Sequence, residues 1–346
     1  MLRSLRLNRF RTFALIAITA IAIYYIQHIR SAEFVFEDSQ WVGVNSLSSL
    51  GDLKFQLINI PNNTLARLSF LISQSARVEH SVNLIIHIVN ALILALLIEQ
   101  WDGPGWIIGS LFLINPLSIQ AVAYAAGRSE LLSLTELLGL LWFASVDSSS
   151  TKLRWIGFTL CALAMLITKP TLIVFMPLLL IWVYVSDYYL HWLEGLDLKF
   201  LIVSLILILC LSLRMTTLVS HSIPLWHWFL AQTTASWMLL YSALTGRNLS
   251  IDHAWWMIDY KFQILGVVCG VLIIIIILLP PRKFHAVTFG LGWWVIAFAP
   301  RLFIPSSLGW IREHHAYVPL VGFCIAVGEL IQHFELSRSH VAGGHS

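Results

Sequence analysis

The chain has 346 residues, 58% of them hydrophobic and only 11% charged, with a net charge of +3. So little charge excludes an ordinary soluble domain of this length, and the scatter of the basic residues excludes a nucleic-acid surface. Apolar runs recur along the sequence, so the expected fold is all-α: a polytopic helical membrane protein of about ten or eleven transmembrane helices, with the lipid bilayer as its first partner.

Arg3, Arg6, Arg9 and Arg11 precede the first apolar run, Thr12 to Ile29. The positive-inside rule then places the N-terminus in the cytoplasm, with the run as an uncleaved anchor. Further spans are expected at 81–99, 106–124, 131–146, 155–168, 171–187, 199–218, 263–279, 285–303 and 317–333. The segment 229–245 carries Gln232, Thr233, Thr234 and Ser236, so it either spans or lies partly embedded. Residues 1–336 read as one domain and 337–346 as a solvated tail. If 229–245 does not cross, both termini are cytoplasmic. The loops 30–79 and 245–262, and a shorter one holding Arg312 to His315, then face outward. Cys161, Cys210, Cys269 and Cys324 sit in apolar runs without metal spacing and read as core residues.

Residues with chemical potential appear in the same order. Glu37-Asp38 puts two adjacent carboxylates after the first span, where one can serve as a general base for a hydroxyl and the other bond elsewhere. His80, Asn83, His87 and Asn90 fall within an arc of roughly 80° on a helix. Lipid does not solvate imidazoles or amides, so this stripe lines a wet cavity or bonds helix to helix. Gly127-Arg128-Ser129-Glu130 follows the third span, and Lys169 ends the fifth on the same side. An arginine fork and a second cation can hold phosphate, although a snorkelling Arg128 paired with Glu130 is the plainer alternative. Asp252-His253 lies in the second long loop, and Glu313-His314-His315 precedes Tyr317 and Pro319. The Glu/His group lacks HExxH-type spacing, so no metal site is expected. Asn62-Asn63-Thr64 and Asn248-Leu249-Ser250 fit the N-glycosylation triplet.

Taken together, Glu37-Asp38, the His80–Asn90 stripe, Asn115-Pro116, the Gly127–Leu132 segment, Thr168-Lys169, Leu249–His253 and Glu313–Pro319 resemble a known arrangement. It is that of the membrane part of the TMTC-type glycosyltransferases, here without tetratricopeptide repeats. These belong to the GT-C superfamily, which also holds the protein O-mannosyltransferases. The resemblance spans about residues 30 to 333. It implies an inverting, metal-independent transfer of sugar from a polyprenyl-phosphate donor to an extracytoplasmic hydroxyl acceptor, on a protein or glycan. No cofactor is implied beyond the donor. By the same resemblance Asp38 is the base with Glu37 beside it, and Arg128 and Lys169 hold the departing phosphate. His80, Asn83, His87, Glu130, Asp252, His253, Glu313 and His314 contact substrate. The implied location is a bacterial inner membrane, or otherwise the endoplasmic reticulum membrane.

The chain departs from the relatives where they favour Asp-Asp (Glu37-Asp38), Arg-Pro (Asn63-Thr64), His-Pro-x-His-x-Glu (Asn115 to Gln120), Lys-Glu (Lys169-Pro170) and His-Arg (His314-His315). Several titratable groups are replaced at once. That motivates a second reading, a non-catalytic subunit of a membrane protein assembly on the same fold. A carrier for lipid-linked sugars or solutes is the third, since polar stripes also suit transport.

Overall fold

The computed structural model describes residues 63–71, 75–145, 151–169, 224–249, 285–303 and 312–343. It also describes positions 15, 18, 19, 22, 33, 34, 38, 171, 172, 178, 179, 181–183, 264, 266–268, 270, 271 and 275. Glu37, Asp252 and His253 lie outside the described residues, as do the expected span 199–218 and most of 12–29 and 263–279. Among the described residues every regular element is helical. In chain order they are α1 (Thr64–Ser69), α2 (Ala76–Gln100), α3 (Gly105–Ile114), α4 (Ile119–Ala123), α5 (Arg128–Ser145), α6 (Thr151–Thr168), α7 (Leu225–Thr245), α8 (His285–Phe303) and α9 (Leu320–Gly343). Three single 3-10 turns lie at Pro116–Ser118, Ala125–Gly127 and Glu313–Ala316.

α2 is long and apolar enough to cross a membrane, and α3 with the turn and α4 pass the same test as a pair bent by 56°. The bend has a local cause. Pro116 cannot continue a helix from α3, and Asn115 is extended, its side chain accepting a hydrogen bond from Leu117 N–H at 3.0 Å. The unbroken helix expected over 106–124 is therefore corrected to two helices joined at a bend. Three other boundaries shift. α2 starts at Ala76, because Glu79 and His80 already continue its buried face, so the first loop ends earlier than 79. The segment 229–245 forms one continuous helix with four residues before it. α9 runs to Gly343, since nothing between Glu335 and Val341 breaks a helix.

α2 carries its polar residues inward and its apolar residues outward. His80, Asn83, His87 and Asn90 are all 1% exposed or less, while Ile85 and Leu96 are about half exposed. The stripe's hydrogen bonds close fully at its lower end. His87 Nε2 donates to the Leu113 carbonyl at 3.2 Å, so Nδ1 accepts from the Tyr317 hydroxyl at 2.7 Å. Asn90 donates to the Leu131 carbonyl at 2.9 Å and accepts from Thr135 Oγ1 at 2.7 Å. These two residues join α2 to α3, α5 and the turn before α9. Cavity lining by His87 is not what this geometry supports.

Close approach between helices rests on small residues. A Cβ on Gly109 of α3 would lie 2.8 Å from the Ala91 carbonyl oxygen of α2. Gly290 of α8 and Gly322 of α9 face each other so tightly that a Cβ on either would lie 2.2 Å from the other's carbonyl oxygen. Contacts of this kind let apolar helices gain dispersion energy over their length. The substitution Gly322→Val is expected to destabilise the fold by about 1–3 kcal/mol through overpacking. A lower melting temperature of the purified chain in detergent checks it, and an unchanged one contradicts the α8–α9 contact.

Candidate functional site

Two buried polar groups adjoin at one end of the helices. The first surrounds Arg128. Gly127 passes so near α4 that a Cβ there would meet the Ala121 carbonyl oxygen at 2.4 Å, and this crossing turns Arg128 inward. Arg128 is 1% exposed. Its Nε donates to Asn83 Oδ1 at 2.8 Å, Nη1 to Ser69 Oγ at 3.0 Å, and Nη2 to the Glu79 carbonyl at 2.7 Å. Nη1 also pairs with the Glu79 carboxylate at 2.5 Å, and the guanidinium lies 4.4 Å from the Phe70 ring centroid. Asn83 in turn donates to the Tyr124 carbonyl at 2.9 Å. Arg128 thus locks α1, α2 and the Ala125–Gly127 turn together, and its donors are committed to protein.

Asp38 and His80 sit beside this lock. Asp38 is fully buried and accepts from Ala126 N–H at 3.0 Å. Its carboxylate and the Arg128 guanidinium both act electrostatically on His80. The structure therefore brings Asp38, His80, Asn83 and Arg128 into one place.

The second group is a cationic centre. Asn63, held at φ 64° before α1, donates its N–H to the Thr168 carbonyl at 2.8 Å, fixing the end of α6. The Thr168 hydroxyl lies 2.6 Å from Glu136 of α5. The next residue, Lys169, pairs with Glu130. Arg301 from α8 acts electrostatically with Glu130 and Arg312. His314 and His315 feel Lys169, Arg301 and Arg312 together. Burial first, and then Arg301 and the other cations, holds both imidazoles well below their usual range, so both are neutral at pH 7. Gln120 places His314 by accepting from its backbone N–H at 2.8 Å. The Tyr124 and His314 rings lie 6.1 Å apart, which joins the centre to the Arg128 group through Asn83. Glu313 is buried beside His314.

A small apolar pocket, with a cavity volume of about 20 Å³, is lined by Leu137, Met165, Leu172, Leu179, Ile296, Ala297 and Val318. Met165 and Ala297 lie one helical turn before Lys169 and Arg301. Apolar side chains thus precede both cations by one turn along α6 and α8.

A Glu130 oxygen and a ring nitrogen from each of His314 and His315 lie within 4.8 Å of one another, a donor set of the kind that holds metal. The charge around it opposes that use. Glu130 is already paired with Lys169, and three cations would repel a divalent ion. The same charges favour an anion.

Of the residues expected from sequence, Asp38, His80, Asn83 and Arg128 fall in the first group, and Glu130, Lys169, Glu313 and His314 in the second. Sequence reasoning gave no role to Arg301 or Arg312. An arginine closing an apolar run is itself a signal, because a buried ionisable group needs polar partners. Gln120, which stands where the relatives favour Glu, accepts from the His314 backbone N–H. No protein-family model, curated protein or solved structure matches the chain.

Proposed function

We propose that the chain is a multi-pass membrane glycosyltransferase that takes a sugar from a polyprenyl-phosphate donor and passes it to a hydroxyl acceptor outside the cytoplasm. The observation that carries this reading is the grouping of Lys169, Arg301 and Arg312 around His314, with apolar side chains one helical turn before Lys169 and Arg301. A lipid phosphate is the substrate class whose two halves need those two environments. Lys169 and Arg301 hold the phosphate, with Arg312 behind them. Arg128 positions Asn83 and the Asp38 wall and does not itself bind the phosphate.

In the reaction the acceptor hydroxyl gives its proton to the Asp38 carboxylate, and the freed oxygen bonds to the anomeric carbon. The bond from that carbon to the phosphate oxygen breaks, and its electron pair leaves with the lipid phosphate. Fixed cations stabilise the charge that develops on the leaving group without reorganising. Orientation of two bound substrates supplies much of the remaining barrier reduction.

The substitution Asp38→Asn retains an acceptor for Ala126 N–H and removes the base. Transfer from a labelled polyprenyl-phosphate sugar in membranes is expected to fall by about 10²–10⁴-fold. Full turnover would remove Asp38 from the mechanism. The second reading, a non-catalytic subunit of a membrane assembly, is favoured by one feature: Asp38 and Arg128 both bond to protein. Copurification with stoichiometric partner proteins, together with no transfer by the unsubstituted chain, would select it.

A further inference from the structure

The two histidines of the cationic centre are neighbours in sequence, with ring centroids 4.3 Å apart, yet their hydrogen bonds make them unlike. Gln120 Oε1 accepts from the His314 backbone N–H at 2.8 Å, and a backbone N–H can only donate. That oxygen is therefore an acceptor for the His314 ring as well, so Nδ1, 3.2 Å away, carries a proton. His315 has the reverse arrangement. Its Nδ1 accepts from the Arg312 backbone N–H at 3.3 Å and carries none. A neutral His315 consequently bears its proton on Nε2, and a second proton on Nδ1 would break the bond to Arg312. His314 has no such bar, because its Nε2 has no hydrogen-bond partner among the described residues. One imidazole is locked neutral and the other is free to gain a proton.

What keeps His314 neutral is its surroundings. Burial and the cations Arg301, Arg312 and Lys169 all disfavour a further positive charge. Among the described residues the acidic groups near it are Glu130, already paired with Lys169, and Glu313 beside it; Tyr124 packs against the ring. A doubly charged anion entering the centre would reverse the sign of the local potential and present an oxygen acceptor.

We infer that the centre takes a phosphate monoester dianion together with one proton from solvent, and that His314 Nε2 is the atom that receives the proton. His315 Nε2–H is a fixed donor to the same anion. This rests on the reading of the centre as a phosphate site and adds to it a stoichiometry. The bound complex holds one proton more than its separated parts, so affinity must fall as pH rises above the range where the free phosphate is already a dianion. Its second ionisation lies near about 6, so the fall is read above about pH 7, with a slope approaching about tenfold per pH unit until bound His314 itself deprotonates.

The test is calorimetric titration of the purified full chain in detergent at pH 8. The probe is farnesyl phosphate, with inorganic phosphate in a second arm to separate a lipid headgroup from a free anion. Titration in two buffers of different ionisation enthalpy counts protons. The expected result is uptake of about one proton per farnesyl phosphate bound. Uptake is lost in His314→Asn, whose amide N–H still reaches Gln120, and kept in His315→Asn. The wild-type comparison stands alone if either variant fails to fold. Buffer-independent heat with binding intact overturns the inference while leaving the phosphate site, as does uptake that persists in a folded His314→Asn chain. Binding of neither probe overturns the inference and the phosphate reading together. Equal affinity for both probes keeps the proton coupling and assigns the site to free phosphate.

Discussion

The substitution Arg128→Met is expected to destabilise the protein by about 3–5 kcal/mol, the range found when one partner of a buried ion pair is removed. Arg128 and Glu79 are each 1% exposed, and their charged groups pair at 2.5 Å. Methionine leaves the Glu79 carboxylate buried without its counter-charge, orphans Asn83 Oδ1, and removes the added bond to the Glu79 carbonyl, which keeps only its helical one. The loss spreads over three elements, because Ser69 and Phe70 belong to α1 and its end, Glu79 and Asn83 to α2, and Arg128 to α5. The double variant Glu79→Leu with Arg128→Met removes both charges and is expected to recover a large part of the stability. Denaturation of the purified chain checks both. If Arg128→Met unfolds like the wild type, the guanidinium is not the lock described.

The second large effect concerns catalysis. On the proposed reaction, Arg301→Met is expected to lower transfer by about 10²–10³-fold, the usual loss when one fixed donor to a developing negative charge is removed. Lys169→Met should act in the same direction, with the added cost of leaving Glu130 unpaired. The discriminating measurement is kcat with saturating donor. A fall in kcat locates Arg301 at the leaving phosphate, whereas a rise in KM alone gives it a share in ground-state binding. Unchanged turnover in a folded Arg301→Met chain would place the phosphate elsewhere.

Much of this arrangement was legible in the residues and some was not. The 285–303 helix has the expected boundaries, because apolar periodicity there is uninterrupted. The polar stripe of α2 was legible as buried, but which of its members bond helix to helix was not. His87 finds its partner at Tyr317, and no local pattern encodes a contact so distant in sequence. The same reason hid the division of labour among the cations. Arg128 and Lys169 look alike from sequence, both closing a helix end with a glutamate nearby. Only the packing of α1 against α2 commits one guanidinium to protein, while Lys169 stays grouped with Arg301 and Arg312. Asn115-Pro116 shows the converse: a local signal for a broken helix was present, and the apolar flanks on both sides masked it.

The bond between His87 and Tyr317 also constrains how the molecule is made. The two residues stand 230 positions apart, and a chain leaves the ribosome N-terminus first. The His87 imidazole must therefore wait for its final partner until most of the remaining polypeptide has been synthesised, whereas Asn83 and Asn90 find acceptors or donors within 45 positions. Truncation upstream of Tyr317 would leave that early helix permanently incomplete, so quality-control proteases should recognise nascent fragments that already contain every residue of α1 to α8.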